Sequence, residues 1–515
     1  MADRLWYLIP EFILLAGSMV CAISGLSAFA AIRRRIGFIA SVFLLIALFV
    51  VPFVYGQGER THDETMLPEL GFYVKMIVAF VGLLLVATAG GLIDRGYERA
   101  IGAGKDRFDT LRTSSGEFHA LLLLSLTGVM LICEARDLIW LFLALELVSL
   151  PTYVMVAISR WSSKAQEAAM KYFFLGALSA ALMLYGFALL YASTGTLVLR
   201  EITEAFALQQ ATGSLAIIAQ VGMLLAIFGL LYKVAAAPMH LYAPDVYQGA
   251  ASPVTAFLAF VPKTAGMIAI ITLLTTVGWE NGLPASLEMA LWVVAVLTMV
   301  LGNIGALLQH SAKRMLGYSS IAHSGYILIG VIAGPGLGLT AVMVYLFVYG
   351  VTNTAAFATL ACLSRNGKEV DSLEDLAGLY RASPLAAASM AVACGSLLGV
   401  PPLLGFWGKL LLFAAGIAAG QISLIIVAAV TSAISAWYYI RLIGLALLSS
   451  PQAGGNATGV TLRWPLAVAV IGACVAVGGP IFLERIIDDA QSAITVPETK
   501  YVMPLPSTLV DDETT

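Results

Sequence analysis

Four ionisable residues lie inside stretches of this chain that are otherwise apolar enough for lipid: Glu146, Lys233, Lys263 and Lys409. A charge at the bilayer centre costs about 2.5–3.5 kcal/mol even on the mild insertion scales. Four such costs, roughly 10 kcal/mol together, would exceed a typical folding margin unless the groups are paired or hydrated. One acid and three amines at membrane depth, without a visible set of redox ligands, therefore indicate a path for protons.

Each of these four residues also has a purely structural explanation that does not involve a proton path. Glu146 and Lys233 could form a buried ion pair that only joins two helices. Lys263 could extend its side chain to a membrane interface, although it lies about ten residues into its apolar stretch. Lys409 could bind a loop carbonyl at the start of a helix.

Two histidines and one charged pair leave similar alternatives open. His323, in YSSIAHSGYILIG, and His240, in the segment after Lys233, are candidates for the same proton path. Each could equally be a hydrogen-bonded histidine that stabilises the helix packing. Glu167 and Lys171 stand four residues apart on one helix face, an arrangement that favours a local ion pair.

The composition determines the broad class of protein. Of 515 residues, 60% are hydrophobic and only 11% are charged, and the mean hydropathy is +0.91. Soluble domains carry about 25% charged residues, so we predict an all-α polytopic membrane protein. The five cysteines are scattered, with no CxxC or Cys/His cluster, and no GxGxxG or Walker loop is present. We therefore expect this chain to bind no NADH, flavin, iron–sulfur cluster or other metal.

Apolar runs of about 18–25 residues predict fourteen transmembrane spans. The seventh continues past a break, through Pro238 towards Tyr247, and the twelfth is broken internally. The predicted spans are 5–29, 37–56, 72–93, 117–133, 137–158, 167–193, 213–234, 253–277, 286–309, 316–334, 337–363, 384–420, 421–447 and 464–483.

The charges of the connecting loops predict the orientation. If the spans alternate, the basic loops all fall on one side, which is then cytoplasmic, and both termini lie on the other. The opposite side holds the acidic loop 58–64 and the segment around Glu201 and Glu204. The basic residues are Arg33, Arg34, Arg35, Arg95, Arg99, Lys105, Arg107, Arg112, Arg160, Lys164, Lys313, Arg314, Arg365, Lys368 and Arg381. Lys313 and Arg314 are most simply anchors at the cytoplasmic interface.

Spans seven and twelve are interrupted in a matching way. The interruptions read YKVAAAPMHLYAPDVYQGAASP and LLGVPPLLGFWGK, each with a lysine beside the proline break. Proline leaves backbone groups without helical partners, which is tolerated at membrane depth where the backbone lines a hydrated cavity. Paired broken spans in two halves of a chain are typical of internally repeated transporters.

The spacing of the two breaks predicts the domain organisation. Five spans separate them, which predicts repeats of spans 4–8 and 9–13, and an odd unit of five must invert its topology in the second copy. The predicted boundaries are 1–116 for three N-terminal spans and a basic loop, 117–280 and 281–447 for the two repeats, and 448–515 for the last span and tail.

Four sequence runs carry a family resemblance: LELVSLPTY, KVAAAPMHLYAPDVYQGAASPVTAFLAFVPK, KRMLGYSSIAHSGY and PPLLGFWGKLLLF. Together they resemble the antiporter-like subunits of respiratory complex I, the proton-pumping NADH:quinone oxidoreductase, over roughly residues 117–445. APDVYQGA and the lysine of GFWGK are similar to the N type of these subunits. The same superfamily includes the multisubunit sodium/proton antiporters.

The resemblance implies roles for the four buried charges. Glu146 matches the family's glutamate on helix five and Lys233 the lysine on broken helix seven that pairs with it. Lys263 matches the central lysine of helix eight, and Lys409 the lysine of broken helix twelve. Burial disfavours a charged lysine, whereas a nearby carboxylate favours it. The hypothesis is therefore that the Glu146–Lys233 pair acts as a switch, Lys263 as a relay and Lys409 as the outlet-side store.

The resemblance also implies the function and the partners. It predicts a non-redox, proton-translocating subunit in the membrane arm of the oxidoreductase, with NADH, FMN, iron–sulfur clusters and quinone bound by partner subunits. The expected partners are other antiporter-like subunits, small helical subunits and membrane lipid, not nucleic acid, in the bacterial plasma membrane. The alternatives are a cation/proton antiporter subunit of an Mrp-type complex and a scaffold without a proton path.

Overall fold

The computed structural model describes residues 2–55, 70–90, 93–160, 162–279, 282–365, 368–450, 459–460 and 462–492. The predicted acidic loop 58–64 and the end of the chain from 493 lie outside the described residues.

An N-terminal group of helices precedes the two predicted repeats. Its three long helices are apolar, as the hydropathy predicts, and the short ones lie in the connections. The group comprises α1 Ala2–Tyr7, α2 Ile9–Gly25, α3 Ala30–Arg33, α4 Ile36–Tyr55, α5 Leu70–Ala89 and α6 Arg95–Gly102.

The region of the first predicted repeat contains five apolar spans and one surface helix, α10. The span α8 begins where the carboxylate of Asp137 accepts a hydrogen bond from the backbone nitrogen of Trp140, which caps the helix. The helices are α7 Ser115–Ile132, α8 Leu138–Ile158, α9 Ser163–Thr194, α10 Leu199–Ala211, α11 Ile217–Lys233, α12 Ala243–Gly249 and α13 Ser252–Thr275.

The region of the second predicted repeat has the same order of spans, and the fourth span is broken in both. Its helices are α14 Ala285–Leu307, α15 Ala312–Ala333, α16 Leu337–Cys362, α17 Leu379–Ala382, α18 Pro384–Leu398, α19 Leu404–Ala418 and α20 Ile422–Leu447, followed by α21 Arg463–Gly478 and α22 Leu483–Ser492. The domain boundaries stay predictions.

A small antiparallel sheet lies in the loops outside the helical body. It has the strand order β2-β1-β3 and consists of β1 Leu363–Arg365, β2 Lys368–Glu369 and β3 Gly459–Val460. Apart from this sheet the described residues form helices and loops, so the predicted all-helical membrane fold is confirmed.

Eleven helices of the described part are long and apolar enough to cross a membrane. Four shorter apolar helices occupy the remaining predicted spans: α2, α11, α18 and α19. The last two are the halves of the broken twelfth span. Because these four are too short to be recognised as spans by length, the count of fourteen stays a prediction.

The centre of the molecule is formed by α13, α15 and α16, which are buried along almost their whole length. Helix α16 packs against α13, α15, α18, α19 and α21. In contrast, α4, α9 and α20 leave wide apolar faces exposed. Polar residues on the three central helices are therefore enclosed by protein rather than by lipid.

The two broken spans interrupt the helical body where the prolines predict it. Helix α11 ends at Lys233 and the chain resumes as α12 at Ala243, while α18 ends at Leu398 and α19 begins at Leu404. The peptide bonds before Pro238 and Pro402 are cis. Each break leaves backbone carbonyls beside a lysine, and side chains of other helices supply their partners.

Candidate functional site

Glu146 and Lys233 form an ion pair between α8 and α11. Lys233 Nζ lies 3.0 Å from Glu146 Oε1 and also donates to the hydroxyl of Ser149, one turn further along α8. The Lys233 side chain is 2% exposed and that of Glu146 17%. The lysine is thus enclosed by protein, whereas the carboxylate of Glu146 reaches the protein surface.

Lys263 occupies the middle of α13 and is 2% exposed. Its Nζ donates to the carbonyl oxygen of Ser320 at 2.5 Å and to the Ser320 hydroxyl at 2.9 Å. The ammonium group also lies 4.3 Å from the centre of the Tyr349 ring, a cation–π contact. The interpretation of Lys263 as a residue that extends to an interface is therefore wrong, because its charged end is bound in the protein interior.

One turn of α15 connects the surroundings of Lys233 and Lys263. The Ser324 hydroxyl donates to the carbonyl of Val234, directly after Lys233, at 2.5 Å, and lies 3.3 Å from the carbonyl of Ser320. That Ser320 carbonyl is the acceptor of Lys263. Hydroxyl and carbonyl groups thus join the break of α11 to the centre of α13.

His323 lies on the same turn and binds two tyrosines. Its Nδ1 is 2.5 Å from the Tyr345 hydroxyl and its Nε2 is 3.1 Å from the Tyr439 hydroxyl. The Tyr439 hydroxyl also contacts the hydroxyl of Ser319. A neutral imidazole donates at one nitrogen and accepts at the other, so a proton added on one side can leave on the other.

Lys409 ends the series in the broken span. Its Nζ donates to the carbonyl of Leu398 at 2.9 Å, across the break between α18 and α19, and to the Ser432 hydroxyl at 3.1 Å. The Nζ lies 5.0 Å from the centre of the Tyr326 ring, which in turn contacts the His323 ring at 5.8 Å between centroids. Lys409 thus makes the carbonyl contact that is expected of a purely structural residue at a helix start. The same contact also fits a role in the proton path.

The four predicted charges and His323 therefore form one buried polar line that runs from α8 to α19. Ser320 bridges further groups, because it also accepts from the Tyr349 hydroxyl at 2.8 Å. Among the described residues no carboxylate contacts Lys263 or Lys409. These two lysines are held only by neutral groups, so loss of a proton would leave no carboxylate beside them unpaired.

Among the described residues His240 makes no hydrogen bond or ion pair to the groups of this line. It is 7% exposed, in the segment between α11 and α12, and its Nδ1 has no hydrogen-bond partner among the described residues. The structure thus brings together five of the six predicted site residues. Within the part of the chain that is described, no group of three His, Cys, Asp or Glu side chains could hold a metal ion.

The sequence interpretation overlooked a further buried lysine, Lys75 on α5. Its Nζ lies 2.8 Å from both Glu11 Oε1 and Glu134 Oε1, and it donates to the carbonyl of Tyr7 at 2.8 Å. The Tyr55 hydroxyl donates to Glu134 at 3.0 Å. The signal was available, because Glu11 and Lys75 also interrupt apolar runs. We call Glu11, Lys75 and Glu134 the N-terminal triad.

The interpretation of Lys313 as an interfacial anchor is wrong. Lys313 is fully buried, donates to the carbonyl of Ala250 at 2.9 Å and lies 3.8 Å from Glu369. The strand that carries Glu369 folds back over this end of α15, and Glu369 also pairs with Arg160. Arg314 remains partly exposed.

Asp245 joins the charges at the same end of the molecule. It binds Arg314 Nη1 at 2.5 Å and Lys171 Nζ at 2.7 Å. Lys171 also makes the expected pair with Glu167, at 2.7 Å. The structure thus agrees with the interpretation of Glu167 and Lys171 as a local ion pair on one helix face.

Known proteins are similar to this chain in sequence and in fold. Residues 135–435 match the family described as NADH:quinone oxidoreductase/Mrp antiporter, TM. The NADH-quinone oxidoreductase subunit N of Trichlorobacter lovleyi is 40% identical over 379 residues, 74% of this chain and 77% of that protein.

Solved structures extend the likeness to nearly the whole chain. A chain of respiratory complex I from Thermus thermophilus superposes with a TM-score of 0.74 at 30% identity, over 93% of this chain and 99% of that one. A chain of the Mrp complex from Dietzia sp. shares the fold with a TM-score of 0.76 at 22% identity, over 96% and 98% of the two chains.

Proposed function

This chain belongs to the NADH:quinone oxidoreductase/Mrp antiporter transmembrane family, and from that premise we propose that it is a proton-translocating membrane-arm subunit of an NADH:quinone oxidoreductase, of the N type. The observation that carries the proposal is the buried polar line from Glu146 to Lys409. A protein that served only as a scaffold would gain nothing from lysines that lack carboxylate partners, because burial of an unpaired cation is costly.

The Glu146–Lys233 pair provides the switch. While the pair is closed at 3.0 Å, the charge of Lys233 is largely cancelled. When the carboxylate moves away, the positive charge of Lys233 acts along the line and disfavours a second positive charge on Lys263. The partly exposed position of Glu146 suits such control, because a neighbouring subunit can reach it.

Lys263 provides the relay and His323 the next step. The Ser320 hydroxyl can donate or accept, so it fits both the ammonium and the neutral amine of Lys263. His323 bridges the hydroxyls of Tyr345 and Tyr439 and can pass a proton from one ring nitrogen to the other. We expect ordered water to complete the step towards Lys409, which holds the proton on the outlet side.

The chemistry of electron transfer belongs to other chains in this proposal. The chain contributes no redox step, and NADH, FMN, iron–sulfur clusters and quinone are bound by partner subunits. Its neighbours are other antiporter-like subunits and small helical subunits of the complex. We place the complex in the bacterial inner membrane, with both termini of this chain on the non-cytoplasmic side.

Proton uptake by the reconstituted complex tests the proposal. Lys263→Met removes the relay group and retains an apolar side chain of similar length. The variant complex should assemble but lose NADH-driven proton uptake, whereas the exposed-site control Lys171→Met should behave as the wild type. Normal proton uptake by an assembled Lys263→Met complex would contradict the proposal.

The alternative, a cation/proton antiporter subunit of an Mrp-type complex, shares the fold at lower identity. The two functions differ in the transported ion and in the partners. Co-purification with iron–sulfur and flavin subunits, and proton uptake that does not depend on sodium, would favour the oxidoreductase. Sodium transport without these subunits would favour the antiporter.

A further inference from the structure

A cavity of about 690 Å³ lies between the helix ends on the basic side of the N-terminal group. It is bounded by the end of α2 at Gly25, the start of α4 at Ile36, the end of α5 at Gly90 and the start of α7 at Gly116. This volume falls within the range of roughly 300–1,000 Å³ that is typical of pockets for small ligands. The cavity lies outside the polar line and serves none of its residues.

Three consecutive arginines line the cavity, and one of them is fully engaged. Arg33 binds Glu98 at 2.6 Å and the carbonyls of Ser27 and Ala28 at 2.8 and 2.9 Å. Its guanidinium also lies 4.1 Å from the centre of the Phe108 ring. Arg33 therefore fixes the connection between α2 and α4 and has little capacity to bind a ligand.

Arg34 and Arg35 remain available. The side chains of Arg34 and Arg35 are exposed. Within the described part of the chain neither of them makes a hydrogen bond or an ion pair. Two carboxylates line the cavity. Glu98 binds Arg33 through Oε1, and its buried Oε2 has no hydrogen-bond partner among the described residues. Asp94 accepts from the backbone nitrogens of Ser114 and Ser115 at 2.6 and 2.7 Å. The lining therefore carries three arginines against two carboxylates, a net charge of one positive, and Arg34 and Arg35 are its two available cations.

His119 adds a buried polar atom that faces the same space. The side chain is 3% exposed, and its Nδ1 donates to the carbonyl of Ser115 at 2.8 Å. Its Nε2 lines the cavity without a partner among the described residues. A Cβ at Gly37 would lie 3.3 Å from this nitrogen, so the glycine keeps the approach open. In this tautomer Nε2 is an acceptor and fits a ligand that offers a hydroxyl group.

The remaining walls of the cavity are apolar. Ile36, Val86 and Ile93 line the interior, and the rings of Phe38 and Trp464, both largely exposed, stand at its edge. Tryptophan is enriched where a membrane protein meets the lipid headgroups. The walls therefore suit a hydrocarbon chain, while the arginines suit an anion at the headgroup level.

We propose that this cavity binds one anionic glycerophospholipid with a hydroxylated headgroup, such as phosphatidylglycerol. The phosphate lies against Arg34 and Arg35, which can bind it bidentately. A headgroup hydroxyl donates to His119 Nε2, and an acyl chain lies along Ile36 and Val86. Basic pockets between helices at the membrane surface bind anionic lipid headgroups for this reason.

The test measures lipid bound to the whole complex. The assembled complex is stripped with mild detergent, and the phosphatidylglycerol that it retains is counted by mass spectrometry. The variant R34A/R35A removes both available charges. Its matched control K105A/R107A removes two charges from exposed sites in the connection between α6 and α7, outside the cavity. A second variant, Gly37→Leu, keeps the arginines and fills the space in front of His119.

We expect the wild type and K105A/R107A to retain one phosphatidylglycerol that R34A/R35A and Gly37→Leu lose. Added phosphatidylcholine or inorganic phosphate should not displace it. Equal retention by R34A/R35A and the wild type would overturn the proposal. Displacement by inorganic phosphate would also overturn it, since the cavity would then be a simple anion site. A map of the complex with a helix of another subunit in the cavity would overturn it as well.

Discussion

Two buried lysines of this protein have opposite surroundings. Lys75 in the N-terminal triad has carboxylates at 2.8 Å on two sides and a backbone carbonyl on the third. Lys263 on the polar line has only a serine, in two contacts, and an aromatic ring. Both are equally buried, so burial alone does not separate a structural lysine from a transporting one.

The difference lies in the cost of the neutral state. If Lys75 lost its proton, two carboxylates would remain buried without a cation, which is strongly unfavourable. If Lys263 lost its proton, the Ser320 hydroxyl could rotate and donate to the free amine. A lysine fixed between two buried carboxylates therefore stabilises the fold, and a lysine held by neutral groups can exchange protons. Substitutions in the N-terminal triad and along the polar line test this distinction between a structural and a proton-exchanging lysine.

The largest effect is expected at the N-terminal triad. Lys75→Met leaves Glu11 and Glu134 without a cation and should destabilise the protein by about 3–5 kcal/mol. The measurement is the thermal stability and yield of the assembled complex. The triple variant Glu11→Gln, Lys75→Met, Glu134→Gln removes all three charges and should recover most of the loss. Complex that does assemble with Lys75→Met should take up protons normally.

The next largest effect is expected at the switch. Glu146→Gln or Lys233→Met removes one charge of the proposed switch, so NADH-driven proton uptake should fall by at least about tenfold. The amount of assembled complex should stay close to that of the wild type. In Glu146→Gln the lysine keeps the Ser149 hydroxyl, and in Lys233→Met the Glu146 carboxylate is partly exposed. A purely structural pair would instead give reduced assembly and normal uptake per assembled complex.

His323 should have an intermediate effect. His323→Asn retains hydrogen-bonding capacity but cannot carry a proton, so proton uptake should fall by roughly tenfold or somewhat less. The control is His310→Asn, at an exposed site. Unchanged uptake in assembled His323→Asn complex would support the alternative, in which the histidine only joins α15 to its neighbours.

The smallest effect is expected at Tyr349. Tyr349→Phe keeps the ring against Lys263 and removes the hydroxyl that donates to Ser320. The loss of one hydrogen bond corresponds to about 1 kcal/mol, or roughly a fivefold lower rate of proton uptake at saturating NADH. Tyr185→Phe, at an exposed site, is the control. A loss as large as that of Lys263→Met would mean that the hydroxyl itself carries the proton.

The sequence predicts the helical class, the two breaks and the four charges because each has a local signal. Apolar runs define the spans, and a proline or a charge inside such a run costs enough to need a reason. The same signal marks Glu11 and Lys75, so the triad was within reach of sequence reasoning.

Other parts of the site have no local signal. Tyr345 and Tyr439 are 22 and 116 residues from His323 in the chain, and a tyrosine or serine in an apolar helix is not conspicuous. Lys313 resembles a surface anchor because it begins a span beside Arg314. It is buried beside Glu369 and the carbonyl of Ala250, both far from it in the chain. Such contacts depend on tertiary packing, which spacing along one chain does not specify.

The most direct test of proton transfer through the polar line is the ratio of protons taken up to NADH oxidised for Lys263→Arg. Arginine keeps the positive charge but does not lose its proton in proteins, so it preserves a structural cation and blocks a relay. We predict that assembled Lys263→Arg complex has a clearly lower ratio than the wild type, while the matched variant Lys75→Arg has the wild-type ratio. A wild-type ratio in assembled Lys263→Arg complex would contradict the account.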